Sequence, residues 1–181
     1  FDFWYSYGAH NKHLHPHYWK DSIEKINIDE WSPEHETNIA LDFIDKAEDK
    51  FALFISYNPP HSPYNEIPLK YVDLYKDITL RPNVGGNFRH HTGEAEHRTT
   101  AELKQAIREY YGAVSGLDYN IGRIVEYLKN TGKYKDTIIV ISSDHGDMLG
   151  SHGLMGKYVW YEESAGIPLV FSGGGIQKGR T

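Results

Sequence analysis

The sequence predicts an α/β fold in which a mostly parallel, mixed sheet is flanked by helices. An unbroken apolar run, residues 137–141, has the length of a strand and lacks polar alternation, which is typical of a strand buried on both faces of a parallel sheet. Helical patterns alternate with this run and with two similar runs, which favours the α/β class. Asp144 and His145 follow the run at the strand end where open α/β sheets place their ligands.

The first 31 residues are rich in aromatic side chains and in histidines. His10, His13, His15 and His17 lie close together, but their spacing matches no closed zinc site and no cysteine is present to complete one. We therefore expect a solvated or pocket-lining loop here rather than a dedicated metal site.

A helix and a strand are predicted next. Residues 32–50 have the pattern of an amphipathic helix, with Ser32 as its cap and Pro33 at its first position. The apolar run 51–57 then predicts a strand. The proline-rich segment after it would hold His61 at a second strand tip. For His61 taken alone, a loop histidine packed on a neighbouring tyrosine is the better interpretation.

The middle of the chain is predicted to be a long loop followed by a long helix. Residues 65–97 are polar and broken by proline and glycine, with a short helical piece at 70–76. Thr99 and Glu102 form a capping-box pattern. Apolar residues then recur every three or four positions as far as Leu128, which predicts a long core helix.

The stretch after the first apolar run combines glycines with one lysine. Glycines at four positions between Asp144 and Lys157 would let the backbone turn tightly, and Lys157 is a mobile cation suited to an anionic group. Residues 158–164 suggest a short helical or irregular turn, and residues 167–171 a third strand whose proline lies at its start.

The composition limits which kinds of partner and metal site the sequence supports. The 181 residues carry a net charge of -6, which gives no electrostatic argument for nucleic acid as the main partner. No apolar run approaches the length needed to span a bilayer. The complete lack of cysteine means that there is no disulfide framework and no thiolate metal site.

Several segments resemble the sulfatases of the alkaline phosphatase superfamily. SSDHGDMLGSHGLMGK, followed by YEES and IPLVFSGGGI, resembles their second signature region. FALFISYNPPHSPY resembles their strand and histidine loop, and YYGAVSGLDYNIGRIVEYLKNTGKYKDTIIVISSDHGD resembles the helix that leads into their metal strand. The resemblance covers most of the chain from about Phe51 onward, and it implies a partial alkaline-phosphatase-like fold.

The resemblance also implies residue roles. Asp144 and His145 match the later two ligands of a divalent cation, most often Ca²⁺ in the family, although an imidazole is better suited to Mn²⁺ or Zn²⁺. His61 matches a histidine that contacts the sulfate or the leaving oxygen, and Lys157 matches a lysine that binds a sulfate oxygen. His152 is a further candidate for substrate contact, with a hydrogen bond that shapes the loop as an equal alternative.

Three family features do not occur in this sequence. Sulfatases form a formylglycine nucleophile within a Cys/Ser-x-Pro-x-Arg motif, which is missing here together with the paired aspartates and the Gly-Lys-Trp-His segment. In the family all three lie upstream. We therefore interpret residues 1–181 as a middle-to-late piece of the catalytic domain, without the nucleophile-bearing part and the C-terminal subdomain. Other segments of the parent protein would be its partners, and the isolated chain would be inactive.

Three functions stay open at this point. The first is a sulfuric ester hydrolase acting on a sulfated sugar or an aryl sulfate, with a divalent metal. The second is a phosphonate monoester or phosphodiester hydrolase of the same superfamily, and the third is a binding module without chemistry. The resemblance suggests a periplasmic or secreted parent enzyme, and the residues themselves give no location.

Overall fold

The computed structural model describes residues 2–20, 22–90, 93–177 and 179. It divides the chain into two compact units. The first contains Phe1–Lys76 and Arg108–Tyr127, and the second contains Asp77–Ile107 and Leu128–Thr181. Helices and small mixed sheets occur in the chain, so the α/β class is confirmed.

The first unit pairs a three-stranded antiparallel sheet with a helix. Strands β1 (Tyr5–Ser6), β2 (His17–Lys20) and β3 (Lys25–Asn27) lie in that order, and α1 (Ser32–Lys46) follows. Neither the strands nor their sheet were predicted, because the first 31 residues were interpreted as a loop. The strands are two to four residues long, which leaves too few positions for a periodic pattern to be recognised.

The core of this unit forms where α1 begins. Trp31 packs with residues of the short helix α2 (Leu69–Val72) and with Ala113, and all of the buried members are at most 6% exposed. Trp31 is also the residue that precedes the first turn of α1, so Ser32 lies within the helix and its prediction as the cap was wrong. The helix ends at Lys46, four residues before the predicted end.

A long helix, α3 (Thr100–Asn130), confirms the sequence prediction. The capping box forms as expected, because the Thr99 amide donates to Glu102 Oε2 at 2.7 Å and the Glu102 amide donates to Thr99 Oγ1 at 3.2 Å. Gly132 follows the helix with a φ of 75°, a conformation that glycine adopts without strain.

The second unit contains two small sheets. Strands β4 (Asn87–His90) and β5 (Ala95–His97) form an antiparallel hairpin, which β7 (Leu154–Met155) joins in parallel. Strands β6 (Ile138–Ser142) and β8 (Leu169–Gly173) form the other sheet, and α4 (Glu162–Ala165) lies between them in sequence. The hairpin was not predicted, because its residues are mostly polar.

Two strand predictions need correction. The run 138–142 forms β6 as expected, but it pairs antiparallel with β8 and alternates between half-buried and exposed positions. Its lack of polar residues therefore does not reflect parallel neighbours among the described residues. The run 51–57 is not a strand in the described part of the chain, although its exposure also alternates. Extended backbone counts as a strand only when a neighbouring backbone pairs with it.

Candidate active site

Asp144, His145 and Lys157 come together just beyond the end of β6. The Lys157 ammonium donates to His145 Nε2 at 2.7 Å, and Asp144 Oδ2 lies 3.3 Å from the same nitrogen. The Asp144 side chain is 84% exposed, whereas that of His145 is 29% exposed. The arrangement offers a solvent-open carboxylate and an ammonium on either side of one imidazole nitrogen, which lies close to both.

The tautomer of His145 follows from its partners. Its Nδ1 lies 2.7 Å from the Gly146 carbonyl oxygen, which can only accept, so Nδ1 carries the proton. In the neutral ring Nε2 then presents a lone pair, which accepts from Lys157. The Ser143 hydroxyl donates to the His145 carbonyl at 2.8 Å and fixes the backbone beneath the ring. His145 Nε2 is therefore the nitrogen able to ligate a cation.

The donor set fits part of a cation site. A carboxylate oxygen and an imidazole nitrogen 3.3 Å apart can share one divalent ion, with oxygen suiting hard cations and nitrogen suiting transition metals. Asp144 and His145 can thus supply two ligands of such a site. Within the described residues, no group of three or more histidines and acids is arranged to hold a metal ion.

Backbone contacts hold the loop between His145 and Lys157. The Gly146 amide donates to the Ser164 carbonyl at 2.8 Å, and a Cβ at Gly146 would lie 2.2 Å from the Glu163 carbonyl oxygen, so only glycine fits. The Met148 amide donates to the Gly156 carbonyl at 2.8 Å, next to Lys157. These contacts explain why the glycine-rich sequence places Lys157 beside His145.

His152 is engaged within the same loop. Its ring stacks on Tyr161, with centroids 4.1 Å apart and planes 8° from parallel, and Nε2 lies 3.5 Å from Glu163 Oε1. Asn83 also donates to Glu163. The pKa of Glu163 is lowered, first by a hydrogen bond from its own backbone and then by Asn83 and the charges of His152 and Arg81. Sequence reasoning missed Glu163, which lies eleven positions after His152.

His61 belongs to the first unit. Its Nδ1 donates to the Ser62 carbonyl at 2.8 Å, and its own carbonyl accepts from Nε2 of the buried His13 at 2.8 Å. Burial lowers the pKa of His13, which favours the neutral ring that makes this contact. Glu66 Oε2 accepts from the His13 amide at 2.6 Å and so ties the two segments together.

The other histidines of the first 31 residues have separate contacts. The His10 ring packs against the His17 ring with centroids 3.9 Å apart and planes 33° from parallel, and His10 Nε2 donates to the His17 carbonyl. His15 Nδ1 lies 2.6 Å from Asp29 Oδ1. In the described part of the chain they do not form a metal cluster.

Comparison with known proteins gives the family. The family model described as Sulfatase matches residues 3–181. The chain belongs to the sulfatase family. It is 33% identical to an endo-4-O-sulfatase of Bacteroides thetaiotaomicron, over 94% of this chain and 34% of that protein. It thus spans about a third of the length of that relative.

Solved structures agree with the sulfatase assignment. A Bacteroides thetaiotaomicron protein studied for the metabolism of multiple glycosaminoglycans superposes with a TM-score of 0.83 at 32% identity, over 97% of this chain and 36% of that one. A protein solved with its substrate D-glucosamine-2-N,6-O-disulfate shares the fold, with a TM-score of 0.80 at 18% identity, over 96% of this chain and 50% of that one.

Sulfatases generally use a divalent metal and a formylglycine, so both are expected of the family to which this chain belongs.

No described helix combines the length and the apolar composition that a membrane span needs.

Proposed function

We propose that the parent protein of this chain hydrolyses sulfate esters of a sugar or an aryl alcohol, and that this chain supplies one part of the active site. The observation that carries the proposal is the grouping of Asp144, His145 and Lys157 at the end of β6, in a chain that belongs to the sulfatase family. A decayed or purely structural module would have no physical need for these three side chains to meet.

Asp144 and His145 are proposed to hold the divalent cation. The exposed Asp144 carboxylate suits Ca²⁺, which we propose as the ion, while the imidazole nitrogen is equally compatible with Mn²⁺ or Zn²⁺. When bound, the ion would orient the nucleophile and favour its deprotonated form. Support for this position comes from the bond between Nδ1 and Gly146, which leaves His145 Nε2 next to the Asp144 carboxylate.

Lys157 is proposed to bind a sulfate oxygen. Hydrolysis of a sulfate ester gathers negative charge on the equatorial sulfate oxygens as well as on the leaving oxygen. A cation already in position beside a sulfate oxygen stabilises this charge more in the transition state than in the ground state. The ammonium now donates to His145 Nε2, so it can redirect its hydrogens to an anion without a change of backbone.

His61 is proposed to protonate the leaving oxygen. Its Nδ1 donates to Ser62, so Nε2 is the nitrogen that would hold and release the proton. His152 is proposed to contact the substrate or, through its stack on Tyr161, to shape the loop that carries Lys157.

The nucleophile is proposed to lie upstream. A formylglycine needs a cysteine or serine in the Cys/Ser-x-Pro-x-Arg context, and this sequence contains none. We therefore propose that residues 1–181 form a partial catalytic domain that other segments of the parent protein complete, and that the isolated chain does not turn over sulfate esters.

The test uses the full-length protein that contains these residues, with an aryl sulfate as substrate. Lys157→Ala should lower kcat by a factor of about 10²–10³, as removal of a transition-state hydrogen-bond donor does. The exposed Lys135, changed to alanine, is the control and should retain activity. Undiminished activity in Lys157→Ala would overturn the role of Lys157. Faster turnover of an aryl phosphonate monoester than of the sulfate would overturn the substrate class.

A further inference from the structure

The sheet of β1, β2 and β3 has two faces of different character. Tyr5 and Tyr18 point towards α1, where the Tyr5 hydroxyl lies 2.8 Å from His35 Nε2 and the Tyr18 hydroxyl donates to Glu36 Oε1 at 2.8 Å. Tyr18 is 1% exposed. Because alternate residues of a strand lie on opposite faces, the neighbours of these tyrosines lie on the face away from α1.

This second face carries a row of three directly paired residues. Ser6 on β1 pairs with Trp19 on β2, which pairs with Lys25 on β3. His17 and Asn27 form the next row. Directly paired residues have neighbouring side chains on one face, so a hydroxyl, an indole and an ammonium lie side by side. We call this surface the tryptophan face; its cavity of about 580 Å³ is lined by Trp4, Ser6, Gly8, Trp19, Ser22 and Ile23.

The Trp19 indole is held in place before any ligand binds. The His17 ring meets it edge to face, with centroids 4.9 Å apart. Gly8 also packs close to the indole, since a Cβ there would lie 2.7 Å from Trp19 Cζ3. Gly8 also has a φ of 72°, which favours glycine. A fixed aromatic ring loses little conformational entropy when a ligand stacks on it.

Part of the tryptophan face is exposed to solvent, and two lysines lie near it. Trp4 is 44% exposed. The pKa of His17 is lowered, first by loss of solvent and then by neighbouring charges that include Lys25 and Lys12. These two cationic side chains favour an anionic ligand.

The chemistry of the ligand follows from this combination. An indole offers a flat apolar surface for the C–H face of a sugar ring, and Ser6 and Asn27 can hydrogen-bond to hydroxyls. Lys25 can pair with an anionic substituent.

We propose that the tryptophan face binds a sulfated sugar unit, with the ring stacked on Trp19 and a sulfate group paired with Lys25. The choice of sulfate as the anion rests on the proposed function. The binding itself does not, because the tryptophan face lies in the first unit and Lys157 lies in the second.

The test measures binding to the 181-residue chain by isothermal titration calorimetry. The probe is D-glucosamine-2-N,6-O-disulfate, with D-glucosamine and inorganic sulfate as comparison ligands. Trp19→Ala should weaken binding of the disulfate at least about tenfold, because the sugar ring would lose the flat apolar surface on which it stacks. Lys25→Ala should reduce the preference for the disulfate over D-glucosamine.

Controls separate this site from others. Two control variants should leave the affinity for the disulfate unchanged. Trp160→Ala removes a fully exposed tryptophan, and Lys104→Ala removes an exposed lysine. Trp19→Phe keeps an aromatic ring and should retain part of the affinity, and circular dichroism confirms that each variant is folded. Loss of binding in Lys157→Ala but not in Trp19→Ala would overturn the proposal.

Two further outcomes are informative. A dimer that Trp19→Ala converts to a monomer in sedimentation velocity would identify the face as a contact between copies and overturn the proposal. Binding that depends on Trp19 and Lys25 in the chain, together with a full-length protein that does not hydrolyse sulfate esters, would support this site while contradicting the proposed function.

Discussion

Glu36 is a buried carboxyl group whose ionisation opposes folding. Burial raises its pKa from 4.5 to about 8, although the hydrogen bond from the Tyr18 hydroxyl acts in the opposite direction. Its Oε2 is buried and has no hydrogen-bond partner among the described residues. At neutral pH the carboxyl group of the folded chain is therefore protonated.

The sign of the pH effect follows from the two pKa values. The folded chain holds the Glu36 proton more tightly than the unfolded chain, so this contribution to stability is complete below the unfolded value of 4.5 and is lost as pH rises towards about 8. At about 1.4 kcal/mol per pKa unit, stability should fall by about 2.5 kcal/mol between about pH 5 and about pH 7. For a chain of this size that corresponds to about 5–10 °C in Tm.

Glu36→Gln tests this reasoning, because glutamine has the same shape and no charge. The variant and the wild type should have similar Tm values near pH 5, and the variant should become progressively more stable than the wild type as pH rises. The comparison cancels the titration of the histidines that the two proteins share. Thermal unfolding followed by circular dichroism gives both curves, with the exposed Glu48→Gln as the control. A Tm difference that does not change with pH would refute the reasoning.

Two other predictions concern α3. Gly116→Ala should destabilise the chain by about 1–3 kcal/mol, because a Cβ at this position would lie 2.6 Å from Trp31 Cη2. A Cβ at Gly122 would meet no atom within 4 Å, so Gly122→Ala should instead stabilise the helix by up to about 1 kcal/mol. Urea unfolding of both variants measures the two effects, and equal signs would contradict the packing described here. Thr99→Ala should cost about 1 kcal/mol through loss of the capping box, measured in the same way, with the exposed Thr131→Ala as a control near the other helix end.

The sequence predicted elements whose signals are local. The capping box of Thr99 and Glu102 and the regular apolar spacing identified α3, because a helix is determined by contacts within a few turns. The apolar run identified β6 to within a residue. Its direction of pairing was not predictable, because pairing depends on β8, which lies 27 or more residues along the chain.

The β1–β3 sheet illustrates a second limit of structure prediction from the sequence. Along β2, Tyr18 faces the core while His17 and Trp19 lie on the other face, so the strand does alternate. A tryptophan on the outer face hides this alternation, because hydrophobicity no longer separates the two faces. The same residue that obscured the strand is the one that makes the outer face a candidate for binding.

Part of the candidate site was predictable from the sequence because its residues lie close together along the chain. Asp144, His145 and Lys157 lie within one short segment, and a glycine-rich loop returns the chain to its start, so local geometry brings the three side chains together. Their roles stay predictions. The positions of His61 and His152 in the structure do not by themselves assign a role. Glu163 could be found only once its contacts with Asn83 and His152 were known.

The glycine-rich loop after Asp144 also has a consequence for how the site opens. Amides within it donate to carbonyls of the same loop, among them Met148 to Gly156, Gly150 to Leu154 and Ser151 to Met148. Breaking any one of these bonds exposes the others to water, so the loop should open as a single cooperative unit. Hydrogen exchange of these amides would then report one common opening free energy, and the segment that carries Lys157 would be either formed or open as a whole.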